Sequence, residues 1–179
     1  MPPIPPLPAE DHRCAECGVS YPDLGLDGAA TIISGVPARA AGRCRPVPGA
    51  RLRVRPDPAA WSALEYLCHL RDVYATCTIR LYRVRVEELP VLEPMLNDLR
   101  ARRFRYNELD PGAILEELAR TAAGALAEAD RVGADGWNRC GVRLPGERRT
   151  AGWLLRHAAH EGVHHLMDIE RTLGSGEQR

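Results

Sequence analysis

Four of the six histidines stand within nine positions of one another: His157, His160, His164 and His165, in the run RHAAHEGVHHLMDIER. If that run is helical, His160 and His164 are i and i+4, one turn apart on one face, where their imidazoles can converge on one metal ion. His165 is then turned about 100° from His164, and His157 extends the face by a further turn. Two imidazoles on a buried face are unfavourable unless a ligand or a carboxylate takes up their polar atoms, which points to a shared metal. The other interior histidine, His69, sits among apolar residues in EYLCHLRDVY. Taken alone it reads as a core histidine bonded to a neighbouring group, or as a third nitrogen that a helical bundle brings opposite the pair. Three nitrogens from two helices would leave coordination positions open, the mark of a catalytic ion; a structural site is normally closed by four ligands.

Carboxylates stand where they could assist. Asp72 follows His69 by three positions and Asp168 follows His164 by four, so each can orient an imidazole or take a proton during turnover. The alternative for both is an ordinary salt-bridged helix face. Glu65 and Glu161 are further candidates, although Glu161 adjoins His160 and is expected to point away. His160-Glu161-Gly162-Val163-His164 also satisfies the H-E-x-x-H pattern of zinc metalloproteases. The extended form of that motif needs Gly at 167 and His at 170, where this chain has Met167 and Glu170, and no strand is evident for pairing with a peptide. The protease reading is therefore set aside. Near the start of the chain, Cys14 and Cys17 have C-x-x-C spacing beside His12. One such pair needs two more ligands to hold tetrahedral zinc, with Cys44 and Cys140 as candidates in space, so structural zinc, a redox pair and inert thiols all stay open.

The elements that must position these groups read as helices. Segment 27–43 has helical apolar spacing with Asp27 as a candidate N-cap and Pro37 as a candidate kink. Residues 44–57, with three prolines, read as a connection carrying a short extended piece at 51–55. The clearest helix runs from Pro58 to about Glu88 on the stripe Trp61, Leu64, Cys68, Val73, Cys77, Leu81 and Val84. A long loop over 89–110, with a short helix near 95–102, precedes Asp110-Pro111, an N-cap followed by a first-position proline. That third helix ends at Gly133, a Gly, Pro and Arg-rich connection covers 133–149, and the last helix opens at Thr150 and stops at Gly174. Four helices without a strong strand signal predict an all-α antiparallel four-helix bundle. The expected organisation is a Pro-rich arm with the C-x-x-C segment over 1–26, the bundle over 27–174 and a tail over 175–179.

Composition narrows the chemistry further. All 24 basic residues are arginine, matched by 24 acidic ones. With no lysine, Schiff-base chemistry and amine general bases fall away, and zero net charge argues against a nucleic-acid or membrane-surface partner. At this length the fold buries roughly 70% of the unfolded surface, so disulfide staples are unnecessary. MPPIPPLPAEDH lacks the pattern of a signal peptide or a span, and Cys68 and Cys77 look like helix core, so a reduced, cytoplasmic protein is expected. Arginine is left as the strong cation for anionic ligands. Arg100, Arg102, Arg103 and Arg105, beside Tyr106 and Asn107, offer either a solvated loop or a clamp, with Arg103, Arg105 and Tyr106 as candidate binding residues.

WSALEYLCHLRDV, with its His-x-x-Asp at His69 and Asp72, and HEGVHHLMDI together resemble the DinB-like superfamily, which includes bacillithiol and mycothiol S-transferases and the mycothiol-dependent maleylpyruvate isomerase domain. The resemblance covers most of 27–173 in helix order. It implies a four-helix bundle, often dimeric, with His69, His160 and His164 as ligands of a divalent ion: Zn²⁺, or alternatively Ni²⁺ or Fe²⁺. It further implies a small-molecule substrate and a low-molecular-weight thiol activated for S-transfer or thiol-dependent isomerisation. A non-catalytic, stress-associated metal binder and a metal-dependent hydrolase are the alternatives.

Overall fold

The computed structural model describes residues 4–174, so the expected tail at 175–179 and the first three residues of the arm lie outside the described residues. The chain forms α1 (Leu26–Cys44), α2 (Gly49–Leu52), α3 (Ala63–Val86), α4 (Asn97–Arg103), α5 (Pro111–Ala129), β1 (Cys140–Leu144), β2 (Glu147–Thr150) and α6 (Ala151–Gly174). The long helices α1, α3, α5 and α6 make the four-helix bundle. Both α1 and α3 pack on α5 and α6, so the two long helices adjacent in sequence stand diagonally across the core. That core is aliphatic, with Ile33, Leu64, Leu67, Leu70, Leu81, Leu118, Leu155 and Ile169 all buried. None of the described helices is long and apolar enough to cross a membrane.

Local chemistry explains the helix ends, including those that differ from expectation. Helix α3 starts at Ala63 and not at Pro58, because Ser62 and Glu65 form a reciprocal capping box: Ser62 Oγ accepts from Glu65 N at 3.2 Å, and Glu65 Oε2 accepts from Ser62 N at 2.9 Å. Glu65 also takes a two-pronged ion pair from Arg55, at 2.8 and 2.5 Å, which assigns this carboxylate to the cap. Helix α5 opens as expected, with the Asp110 carboxylate accepting from Ala113 N at 2.8 Å. Helix α1 is capped by Gly25, has Asp27 in its first turn and runs on through Pro37. The expected extended piece at 51–55 is instead the short helix α2 and a turn.

The connection before α6 holds two strands that the sequence reading did not anticipate. β1 and β2 pair antiparallel across a Pro145-Gly146 turn, where Gly146 has φ 78°. Such a left-handed position favours glycine. Val142 also exchanges backbone hydrogen bonds with Pro90 and Leu92, which ties the loop after α3 to the hairpin. The N-terminal arm lies along the same region: Arg149 donates to the carbonyls of Leu7 and Pro8, and Trp153 Nε1 donates to Ala9 O at 3.1 Å.

Helix α6 crosses the bundle at its tightest point. A Cβ at Gly162 would stand 2.5 Å from Tyr74 Oη on α3 and 2.7 Å from Val36 Cγ2 on α1, so only glycine permits this approach. Gly162→Val is expected to destabilise the fold by about 3 kcal/mol, the upper part of the usual overpacking range. Urea unfolding would read this as a lower midpoint at unchanged m.

Candidate metal centre

The histidine-rich stretch of α6 presents two faces to two different partners. One face meets α3. His69 Nε2 lies 2.9 Å from Glu161 Oε2, and His165 Nε2 lies 3.3 Å from the same oxygen. One ligand atom each from His69, Glu161 and His165 fall within 4.8 Å of one another. The His69 and His165 rings meet edge-on at 4.8 Å, Trp61 packs on His69, and Tyr66 stacks on His165. His165 Nδ1 is 2.8 Å from Asp168 Oδ2, so a carboxylate fixes the ring from behind and directs Nε2 at Glu161.

The other face of α6 meets the N-terminal segment. Cys14, Cys17, His160 and His164 form a second convergent set, with Cys14 Sγ 3.6 Å from His164 Nδ1. His69 and the His160, His164 pair, expected together, are thus placed in separate groups. The reason is rotational. Successive helical residues turn by about 100°, and the stripe that α6 shows to α3 runs through Leu154, Ala158, Glu161 and His165. The pair at 160 and 164 is rotated off it. Glu161 points into the bundle, contrary to expectation. Two further groupings, His157 with His160 and Glu161, and His164 with His165 and Asp168, share members with these sets.

Electrostatics mark the α3-facing group as a strongly coupled cluster. Burial alone would raise the Glu161 carboxyl, but His157, His165 and His69 hold it well below the ordinary carboxylate range. Burial works against the His165 imidazolium as well, yet Asp168 and Glu161 lift it to about 9. Burial dominates at His69, whose imidazolium is pushed down, and at His157, pushed down to about 4. Glu161 is therefore an anion among imidazoles, the donor set that a borderline cation such as zinc takes. Two nitrogens and one carboxylate oxygen fit a three-ligand site with positions left for a substrate.

Beside this group lies a cavity of about 690 Å³. His69, His157 and Glu161 line it together with apolar Val73, Met95 and Leu154, the arm residues Ile4, Pro5, Leu7 and Pro8, and the cations Arg80, Arg102 and Arg143. Arg143 is engaged by Glu147 at 2.9 Å and Pro5 O at 3.0 Å. Arg80 is buried on α3, donates from Nη2 to Glu93 O at 2.5 Å, and keeps its Nε buried without a hydrogen-bond partner.

The remaining candidates take other places. Asp72 does not reach the imidazoles. Its carboxylate accepts from Arg71 at 2.8 Å, from Arg100 at 2.9 and 2.6 Å, and from the Tyr106 hydroxyl, a closed structural network. Tyr106 is consequently a buried partner of Asp72 and does not line the cavity. Arg105 pairs with Glu108 on the surface, and neither it nor Arg103 lines the cavity; Arg102 is the arginine of α4 that does, beside Asn97, Asp98 and Leu99. Asp168 orients His165 and lies 3.7 Å from His164 Nε2.

A profile for the DinB superfamily matches residues 33–169. Among solved structures, YfiT from Bacillus subtilis, described as a probable metal-dependent hydrolase with an unusual four-helix bundle topology, superposes with a TM-score of 0.72 at 18% identity, over 92% of this chain and 94% of that one. The two share the four-helix fold. No curated protein matches the chain.

Proposed function

The chain belongs to the DinB superfamily, and from that premise we propose that it is a metal-dependent enzyme in which His69, Glu161 and His165 hold a divalent ion, Zn²⁺ before Ni²⁺ or Fe²⁺. Its reaction in this reading is S-transfer or thiol-dependent isomerisation with a low-molecular-weight thiol. The observation that carries the proposal is the convergence of these three donors on two helices, two of which, His69 and Glu161, line a cavity of about 690 Å³. When bound, the ion supplies Lewis-acid activation that favours the ionised form of a thiol, or of water, at neutral pH.

The chain's own residues do the rest. Asp168 fixes the His165 ring, and Trp61 and Tyr66 hold the two imidazoles in place, so the donor geometry is set before substrate arrives. Val73, Met95 and Leu154 give the cavity apolar walls that exclude water from part of it. Arg80 and Arg102 supply cations for a carboxylate on the thiol or on its acceptor. The choice of thiol over water rests on the resemblance of WSALEYLCHLRDV and HEGVHHLMDI to the DinB-like superfamily, which includes thiol S-transferases. The description of YfiT favours hydrolysis as a second reading.

The test is to incubate the zinc-loaded protein with electrophilic acceptors, with and without a carboxylate-bearing thiol. Metal-dependent product that requires the thiol is expected. Product formed equally well without thiol would transfer the assignment to hydrolysis. Stoichiometric metal without any turnover across the panel would favour a non-catalytic metal binder.

A further inference from the structure

Helix α6 carries a second donor set that the proposed reaction does not use. We propose that Cys14, Cys17, His160 and His164 form a separate, four-coordinate Zn²⁺ site that clamps the N-terminal segment onto α6.

The cysteines arrive in a preformed turn. Arg13 and Ser20 pair as an antiparallel bridge, Cys14 N donates to Val19 O at 2.9 Å, and Gly18 N donates back to Cys14 O at 3.0 Å. Gly18, directly after the second cysteine, has φ 75°, the left-handed conformation that closes such a turn. The turn places both thiols against the face of α6 that carries His160 and His164, and the four donor atoms lie within 4.8 Å of one another.

The imidazoles are prepared as ligands. His160 is 7% exposed, and its Nε2 is buried with no hydrogen-bond partner, an arrangement that costs free energy unless something accepts that lone pair. Its Nδ1 lies 3.0 Å from the hydroxyl of buried Tyr21. Metal-bound imidazoles usually have the distal nitrogen bonded in this way, which sets the ring's orientation. His164 presents Nδ1 to Cys14 and Nε2 to Asp168, at 3.6 and 3.7 Å. Zinc–sulfur and zinc–nitrogen bonds of about 2.3 and 2.05 Å at a tetrahedral angle put the two donors about 3.6 Å apart, matching the observed separation of Cys14 and His164.

Charge and coordination number separate this site from the one facing α3. On binding, both thiols lose their protons to solvent. Two thiolates then balance Zn²⁺, so the closed site is neutral and fits a partly buried position. Four protein ligands leave no place for substrate, which makes the ion structural. What it holds is the segment leading out of the arm whose Ile4, Pro5, Leu7 and Pro8 line the cavity. The site thereby secures one wall of that cavity without taking part in the chemistry. The inference stands independently of the proposed reaction.

Two measurements on the full chain test it. Titration with Co²⁺ is expected to produce the near-ultraviolet thiolate-to-cobalt charge-transfer band in the wild type and in Glu161→Ala, and to lose it in the Cys14→Ser, Cys17→Ser double variant. A missing band in the wild type, or a band that survives in the double variant, would overturn the proposal. The second measurement needs no variant. In zinc-loaded wild-type protein, Cys14 and Cys17 should resist an alkylating reagent until a chelator is added, as mapped by mass spectrometry. Equal labelling with and without chelator overturns the site, and so does protection relieved by a reductant alone, which would identify a disulfide. Retention of the band in Glu161→Ala keeps this outcome distinct from failure of the α3-facing centre.

Discussion

Glu161→Ala is expected to remove one equivalent of divalent metal and to lower turnover by at least about 100-fold, the upper end of what loss of a merely supporting partner costs. The size follows from position. Glu161 is the carboxylate within reach of His69, His165 and His157, at 2.9, 3.3 and 3.8 Å, so its removal takes both a ligand and the anion that balances the imidazoles. Glu161→His retains a donor and should recover part of the metal content, which a purely structural role would not predict. Elemental analysis of the purified variants, with circular dichroism to confirm helicity, provides the readout. His160→Ala should leave the α3-facing metal and the turnover largely in place. The opposite pattern, with Glu161→Ala inert and His160→Ala inactive, would restore the His69, His160 and His164 set.

Asp72→Ala is expected to cost about 3 kcal/mol of stability, the low end for breaking a buried ion network by removing one partner. Asp72 is 6% exposed and serves Arg71, Arg100 and Tyr106. Arg71 retains Glu117 at 2.9 Å and Arg100 can turn outward, while the buried Tyr106 hydroxyl is left without its acceptor. The same network fixes a pH dependence. Burial works against the Asp72 carboxylate, but Tyr106, Arg100 and Arg71 overcome it and hold the folded-state value below the ordinary one. A depressed carboxylate contributes stability that is fully present above its unfolded pKa of about 3.9 and is lost as pH falls through the lower folded value. Asp72→Ala should therefore flatten the acid limb of the stability curve, measured by urea unfolding as pH is lowered through about 3.9 and below. Metal content and turnover of the folded fraction should persist. Loss of turnover with stability unchanged would return Asp72 to the catalytic role that its spacing from His69 suggested.

Much of the bundle was legible because helix signals are local. Asp110-Pro111 announced α5, and the apolar stripes of α3 and α6 marked two of the faces that meet. The missed features have equally local explanations. Ser62-Ala-Leu-Glu65 is a capping-box signature that outranked Pro58 as the start of α3. The β-hairpin is only four to five residues per strand and rich in arginine, so its alternation is weak. At the site, His69 was visible as a polar residue in an apolar stripe, and Asp168 by its offset from the histidines.

Sequence reasoning chose the pair at 160 and 164, whereas the structure turns the pair at 161 and 165 toward His69. Both are i, i+4 pairs of metal-binding residue types, and periodicity alone ranks the histidine pair first. The signal for the other pair lay in the phase of the stripe, since Leu154 and Ala158 continue at helical spacing to Glu161 and His165. Similarly, Cys14 and Cys17 stood out in the sequence by their spacing, but the residues beside them are His160 and His164, not Cys44 and Cys140.

By itself the sequence determined the helices, the absence of a reactive amine, the pool of donors and the aliphatic core, because each depends on residue type and on spacing within one segment. Tertiary structure alone decided which donors converge. A ligand set is a matter of distances of a few ångströms between atoms far apart in the chain, and here it turns on the rotation of one helix. The Gly162 crossing against Tyr74 and Val36 sets that rotation, sending Glu161 and His165 to His69 and leaving His160 and His164 to the cysteines.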